Sequence, residues 1–308
     1  MTSSHNPEQN QILRKLQLTE LKILTEFDRL CRKHNLRYYI VGGTLIGAVR
    51  HGGFIPWDDD IDVSMPREDF KKLLKIAESE FTSGYFLQTR KTDKCSFYYA
   101  KLRKNGTCFR EEKFEHMDFH KGIFMDIFPL DYIPENKLLQ KLLFKGFGLM
   151  SGIISSKEKT DEYLFRDKSK LAIFLLKCIR FILPKCFASA LRRGIAGFSG
   201  AISNKKLLAS FSGFHGYPKE ISPEEWWAEG CDIKFEDKTV KAPKEYEKLL
   251  THMFGNFMGL PPESQRINHN VDYGSIVFEG ITKEDYKPTI IKERNPSKDS
   301  DYIIHPVN

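Results

Sequence analysis

Residues 38–70 read YYIVGGTLIGAVRHGGFIPWDDDIDVSMPREDF, and the succession of elements in this stretch decides the fold. The β-branched and aromatic run LRYYIV (36–41) predicts a short strand that breaks at Gly42-Gly43, and TLIGAVR predicts a short helix with Thr44 as its cap. The loop HGGFIPW leads to a second strand, IDVSM (61–65), after which Pro66 suits the first position of a helix running to Phe81. Strand, glycine turn, helix, strand and helix in succession point to an α/β unit.

The same stretch carries the densest chemical signal, Trp57-Asp58-Asp59-Asp60-Ile61-Asp62-Val63. Four carboxylates within five positions repel one another, and a strand edge tolerates that when something positive sits between them. Side chains alternate along a strand, so Asp60 and Asp62 face one way while Ile61 and Val63 point into the core. Oxygen ligands without His or Cys favour Mg2+ or Mn2+ over zinc. A solvated acidic turn is the ordinary reading of such a run, and two further features argue against it. Gly42-Gly43-Thr44 would aim backbone N–H groups and a helix N-terminus at a phosphate. Asp126, flanked by large apolar residues in IFMDIF, would be costly to bury unpaired, which a third metal-ligand role explains.

Outward from this block, Glu8–His34 places Ile12, Leu16, Leu21, Leu24, Phe27 and Leu30 near a 3.6-residue period and reads as an amphipathic helix. YFLQ (85–88) reads as a strand, SFYYAKLRK and TCFRE as two runs joined by a hairpin at Asn105-Gly106, and GIFMDIFPLDYI as a buried strand ending before Pro134. From Lys137 to Arg193 the chain holds 13 Lys or Arg against four acids, a local +9 within a net +7, interleaved with Leu, Ile and Phe. That is the composition of basic amphipathic helices that lie on anionic lipid or pack on a core. The apolar runs 138–154 and 171–183 are too short and too interrupted by cations to span a bilayer. A helix is expected from about Pro243 to near Gly259.

With 308 residues, 41% hydrophobic and 13% aromatic, the chain is globular, of two domains or of one catalytic domain with an insertion. Six cysteines without a C-x-x-C pair suit a reducing compartment, and Cys95, Cys108, His116 and His120 match no zinc-finger spacing. No basic region followed by an apolar stretch opens the chain, so a cytoplasmic location is expected. No nucleic-acid reader module is present in the sequence.

The order Gly-Gly-Thr, Asp-x-Asp on the next strand and one more Asp on a later strand resembles the nucleotidyltransferase folds related to DNA polymerase beta. Three such carboxylates can hold two metals about 3.5 to 4 Å apart around a displacement at phosphorus. Residues 38–70, with YAKLRKNGT, GIFMDIFPLDYIP, KAPKEYEKLL and MFGNFMGLPPESQR, resemble the LicD family of bacterial phosphocholine transferases, distantly similar to fukutin-related protein. The resemblance spans roughly residues 20–135 and 215–270. It implies transfer of a phospho-alcohol, most familiarly phosphocholine, from a CDP-linked donor to a hydroxyl of a lipid-linked glycan precursor of teichoic acid or lipopolysaccharide, with release of CMP. Metals on Asp60, Asp62 and Asp126 would bridge the diphosphate, with Asp126 helping to take the proton. Lys101 and Arg103, two apart on one strand face, and Arg50 would reach the phosphates.

The expected architecture is thus α/β, a nucleotidyltransferase-like mixed sheet core with flanking helices. A catalytic core at 1–136 with its N-terminal helix is followed by a basic helical insertion at 137–210 and a C-terminal segment at 211–308 that completes the catalytic domain. The insertion would contact the anionic inner membrane face peripherally. A nucleotidyltransferase releasing pyrophosphate and a catalytically silent membrane-associated scaffold are the alternatives; the presence of all three carboxylates argues against silence.

Overall fold

In the computed structural model, α1 (Pro7–Lys33) buries Leu13, Leu16, Ile23, Leu24, Phe27 and Leu30, the apolar face that its spacing predicts. The residues described are 7–81, 84–93, 95–111, 114, 117–156, 169, 171, 174, 178–179, 183–266 and 273–282. After α1 come β1 (Tyr39–Ile40), α2 (Gly42–His51), β2 (Asp62–Pro66) and α3 (Arg67–Glu80). They are followed by β3 (Tyr85–Gln88), the single turn α4 (Arg90–Asp93), β4 (Ala100–Lys104) and the long β5 (Phe124–Ile133). Next stand two basic helices, α5 (Lys137–Ser156) and α6 (Lys185–Ile202). The remaining described elements include β6 (Leu207–Ala209), β7 (Ile221–Pro223), the hairpin β8 (Cys231–Phe235) and β9 (Lys238–Ala242), and α7 (Tyr246–Phe254).

One mixed sheet organises these elements, in the order β1-β2-β5-β4-β3. The β2–β5 pair is parallel and the others are antiparallel. β5 is long enough to serve twice: its first half lies between β2 and β4, and its second half pairs with β6, which in turn pairs with β7. α1 closes one face of the sheet over Val63, Met65, Leu102, Met125 and Ile127. A second cluster around Ile133, Leu143, Phe147, Ala196 and Phe211 anchors α5 and α6. The α/β class and the flanking helices agree with the sequence reading.

Several local expectations are corrected. β1 is only two residues long. α2 begins at Gly42, with Val41 at the cap position, three residues before the start that a Thr44 cap would give; the Thr44 hydroxyl instead accepts from the Asp62 N–H, and Gly42 takes a φ of 58° that suits glycine. Pro66 closes β2 and precedes α3 instead of opening it. Asn105-Gly106 makes no hairpin: both edges of β4 are already taken, by β3 and β5, so the chain turns away and Cys108 bridges Val277. α7 starts three residues after Pro243 and stops before Gly255, whose φ is 69°. Most of the 171–183 run and His116 lie outside the described residues.

Glu220 lies in the connection from β6 to β7, where its Oε1 accepts the His215 backbone N–H at 2.9 Å and its carboxyl fills the space over Gly213. Burial pushes its pKa up from 4.5 to about 7. The folded chain then keeps a proton that the unfolded chain loses near 4.5, so stabilisation present at acid pH is lost as pH rises through about 7. Glu220→Gln keeps the acceptor and removes the ionisation. Urea unfolding from about pH 5 to about pH 7.5 should show the wild type losing roughly 2 kcal/mol relative to the variant. Parallel pH profiles for the two would refute the assignment.

Candidate active site

Register builds the site. Asp62 on β2 stands opposite Asp126 on the parallel β5, and Lys101 on β4 stands opposite the same Asp126 from the other side. Ile61, Val63, Ala100, Leu102, Met125 and Ile127 are fully buried and lie at the alternate positions along these strands. Alternation therefore puts Asp62, Asp126, Lys101 and Arg103 together on the opposite sheet face. Lys101 Nζ lies 3.0 Å from Asp126 Oδ1 and 3.5 Å from Glu111 Oε2. Its ammonium also sits 3.3 Å from the Phe124 ring centroid, with Phe97 and Tyr99 within 6 Å. Carboxylates and ring faces together replace the water that this buried cation has lost.

Arg103 is equally buried but is committed inward. Its Nε donates to Gln88 Oε1 at 2.7 Å and its Nη1 to Gly122 O at 2.7 Å, with Glu111 3.5 Å from Nη2. It ties Gln88, Gly122 and Glu111 together at this end of the sheet, and its charge also lowers the proton affinity of Asp126. Arg50 is not brought to the carboxylates either. It lies eight residues beyond Gly42, about 12 Å along α2. There Nη1 donates to the carbonyls of Phe257 and Gly259, and Nε donates to His51 Nε2. His51 packs edge-on to Trp57, and burial lowers its pKa.

The acidic loop is clamped against the start of α2. The Asp62 backbone N–H donates to Thr44 Oγ1 at 2.9 Å, and the Val41 N–H donates to Asp62 O at 3.0 Å. Thr44 thus ties the helix to the strand. A Cβ added at Gly43 would stand 2.6 Å from Asp58 Oδ2, and one at Gly42 would stand 3.4 Å from Asp62 Oδ2. The two glycines let carboxylates of the chain itself lie over the positive helix end. A phosphate at this turn would share it with Asp58 and Asp62.

Two residues that the sequence reading passed over act on the loop from α1, one by a bond and one by its charge. Gln17 Nε2 donates to Asp58 O at 2.9 Å, and Glu20, 1% exposed, lies on the same face of α1. Burial pushes the Glu20 carboxyl far above its ordinary range, and the charges of Asp60, Asp59, Asp58 and Asp62 push it further. The available signal was two polar residues three apart within the apolar face of α1. Asp62 is raised for the same reasons, burial first and then Asp60, Asp126 and Asp58. Asp126 is raised by burial and Glu111, against the pull of Lys101.

This accumulation of negative charge, with only oxygen donors, fits a hard divalent cation by donor chemistry and charge balance. Among the described residues no three His, Cys, Asp or Glu side chains already close around one point, so binding would require side-chain adjustment.

Residues 35–147, which contain these residues except Gln17, Glu20, Phe257 and Gly259, match the LicD/FKTN/FKRP nucleotidyltransferase domain. The lipopolysaccharide cholinephosphotransferase LicD of Haemophilus influenzae is 29% identical over 86% of this chain and 98% of its own length. An uncharacterised Rickettsia typhi protein is 31% identical over 42% of this chain and 39% of its own. The human ribitol 5-phosphate transferase FKRP is 31% identical over 34% of this chain, a match covering 19% of FKRP. The matched domain is thus of the nucleotidyltransferase type, on an α/β fold. The chain carries a LicD/FKTN/FKRP nucleotidyltransferase domain at residues 35–147 and is similar to the LicD cholinephosphotransferase over most of its length; it is a LicD-like phosphotransferase.

Gly43→Ala should fold normally, because the obstructing atom is the mobile end of Asp58, but it should move that carboxylate by about 1 Å and lower turnover between about 10- and 100-fold. Gly148→Ala, with open space at its Cβ, serves as the control. Equal turnover in the two variants would show that the Asp58–Gly43 contact has no part in the reaction.

Proposed function

We propose that this protein transfers a phospho-alcohol, phosphocholine as the leading candidate, from a CDP-linked donor to a hydroxyl of a lipid-linked cell-surface glycan precursor at the cytoplasmic membrane face, releasing CMP. The observation that carries the reading is the file of Asp62, Asp126 and Lys101 across three adjacent strands, beside the helix start at Gly42–Thr44. Choline is favoured over ribitol because the similarity to the cholinephosphotransferase runs the length of that relative, whereas FKRP is matched over a short part.

In this reading Asp60, Asp62 and Asp126 would hold Mg2+ or Mn2+. Such an ion, when bound, supplies positive charge for the diphosphate and acidifies a nearby hydroxyl. Asp126, whose proton affinity burial raises, takes the acceptor proton. The acceptor oxygen forms its bond to the transferred phosphorus as the bond from that phosphorus to the CMP oxygen breaks, and CMP carries away the electron pair. Lys101 opposes the rise in the proton affinity of Asp126 and offers positive charge to the phosphoryl oxygens. The backbone of Gly42, Gly43 and Thr44 orients the donor. Arg103 and Arg50 act at a distance, by fixing Glu111 and the 257–259 segment.

Incubation with CDP-choline, CDP-ribitol and CDP-glycerol plus Mg2+, scoring nucleotide products, tests this. CMP should appear with one CDP-alcohol, depend on divalent cation, and fall about 1,000-fold or more in Asp60→Asn and Asp62→Asn proteins that retain their melting temperature. Release of pyrophosphate from a nucleoside triphosphate instead, or undiminished turnover in both variants, would overturn the proposal.

A further inference from the structure

Neither α5 nor α6 contains an Asp or Glu. Their inner sides are fixed: Arg192 of α6 donates to Ser151 Oγ of α5 at 3.4 Å and to Ser96 O at 2.7 Å, and Ser199 Oγ donates to Tyr132 O. Their outer sides are apolar and exposed. On α5, Leu138, Leu142 and Leu149 are 68%, 56% and 42% exposed at spacings of four and seven, forming one stripe beside the exposed Lys137, Lys141 and Lys145. On α6, Phe187, Leu191, Phe198 and Ile202 form a second stripe at spacings of four and seven, each more than a third exposed, bordered by the exposed Arg193. Phe214, 97% exposed, stands on the β6–β7 loop, which packs on α5 through Phe211 and Tyr217 against Phe144.

Single exposed apolar side chains are common on soluble proteins; two continuous stripes on adjacent helices free of acids are not. Lys and Arg beside Leu and Phe match a surface that is anionic outside and hydrocarbon a few ångströms beneath. A second copy of the chain fits worse, since a two-fold contact would set lysines against lysines and supply no acid from either helix. No described helix is long and apolar enough to cross a membrane, so the fit is to its surface.

We propose that the outer faces of α5 and α6, with Phe214, form a seat on an anionic lipid bilayer, the helices lying in the headgroup plane. This rests on surface chemistry alone and stands apart from the phosphotransfer reading. The test is co-sedimentation of the full chain with phosphatidylcholine vesicles, with and without about 30% phosphatidylglycerol, beside light scattering of the protein alone. The anionic vesicles should retain about tenfold more protein, and Leu142→Glu/Phe198→Glu should abolish most of that retention without changing the circular dichroism spectrum. Lys137→Glu/Lys141→Glu/Lys145→Glu should remove the preference for anionic lipid. Equal retention by both vesicle types, retention untouched by either variant, or a dimer that Leu142→Glu/Phe198→Glu dissolves in place of lipid binding would each overturn the proposal.

Discussion

Two carboxylates set opposite each other in neighbouring parallel strands are the constraint from which the rest of this structure follows. At about 5 Å, in an effective dielectric of about 20, two such charges repel by about 3 kcal/mol, and Asp58, Asp60 and Glu20 add to the load. The fold answers with every local source of positive potential it can bring. Lys101 reaches Asp126 from the third strand, the first turn of α2 receives Asp58 and Asp62 over side-chain-free glycines, and Gln17 holds the loop carbonyl from beneath. Burial still raises the proton affinity of Glu20, Asp62 and Asp126. Such a cluster suits the divalent cation proposed above.

The long β5 makes this arrangement possible. Its first half carries Asp126 between β2 and β4, and its second half continues into a different neighbourhood, where β6 pairs with it and α5 and α6 cover it. One strand thereby connects the carboxylate face to the basic helices. The carboxylate face and the surface that α5 and α6 present are thus joined through this one strand.

Much of this was legible in the sequence wherever a local rule applied. The alternation of Asp62 with buried Val63 follows from its strand, although Asp60 lies before β2 and outside that alternation, and the isolation of Asp126 among large apolar residues marked it before any pairing was known. What escaped was non-local. The Asn105-Gly106 turn has strong hairpin chemistry, but β4 had no free edge left to pair. Thr44 has the side chain of a cap, yet its hydroxyl serves the Asp62 backbone instead. Arg103 has the reach and charge to bind phosphate, but Gln88, Glu111 and the Gly122 carbonyl already engage it. Glu20 was hidden because a charged residue on an apolar helix face acquires meaning only through what it packs against, here four aspartates some forty residues along the chain.

The most direct measurement of the central claim is a Mn2+ titration followed by electron paramagnetic resonance, on wild type and Asp126→Asn, with no nucleotide present. The account predicts that wild type removes Mn2+ from the free signal and that Asp126→Asn weakens this by about tenfold or more, since losing one of a few oxygen ligands removes both charge and geometry. Absence of Mn2+ binding in wild type, or equal binding by the two proteins, would contradict it.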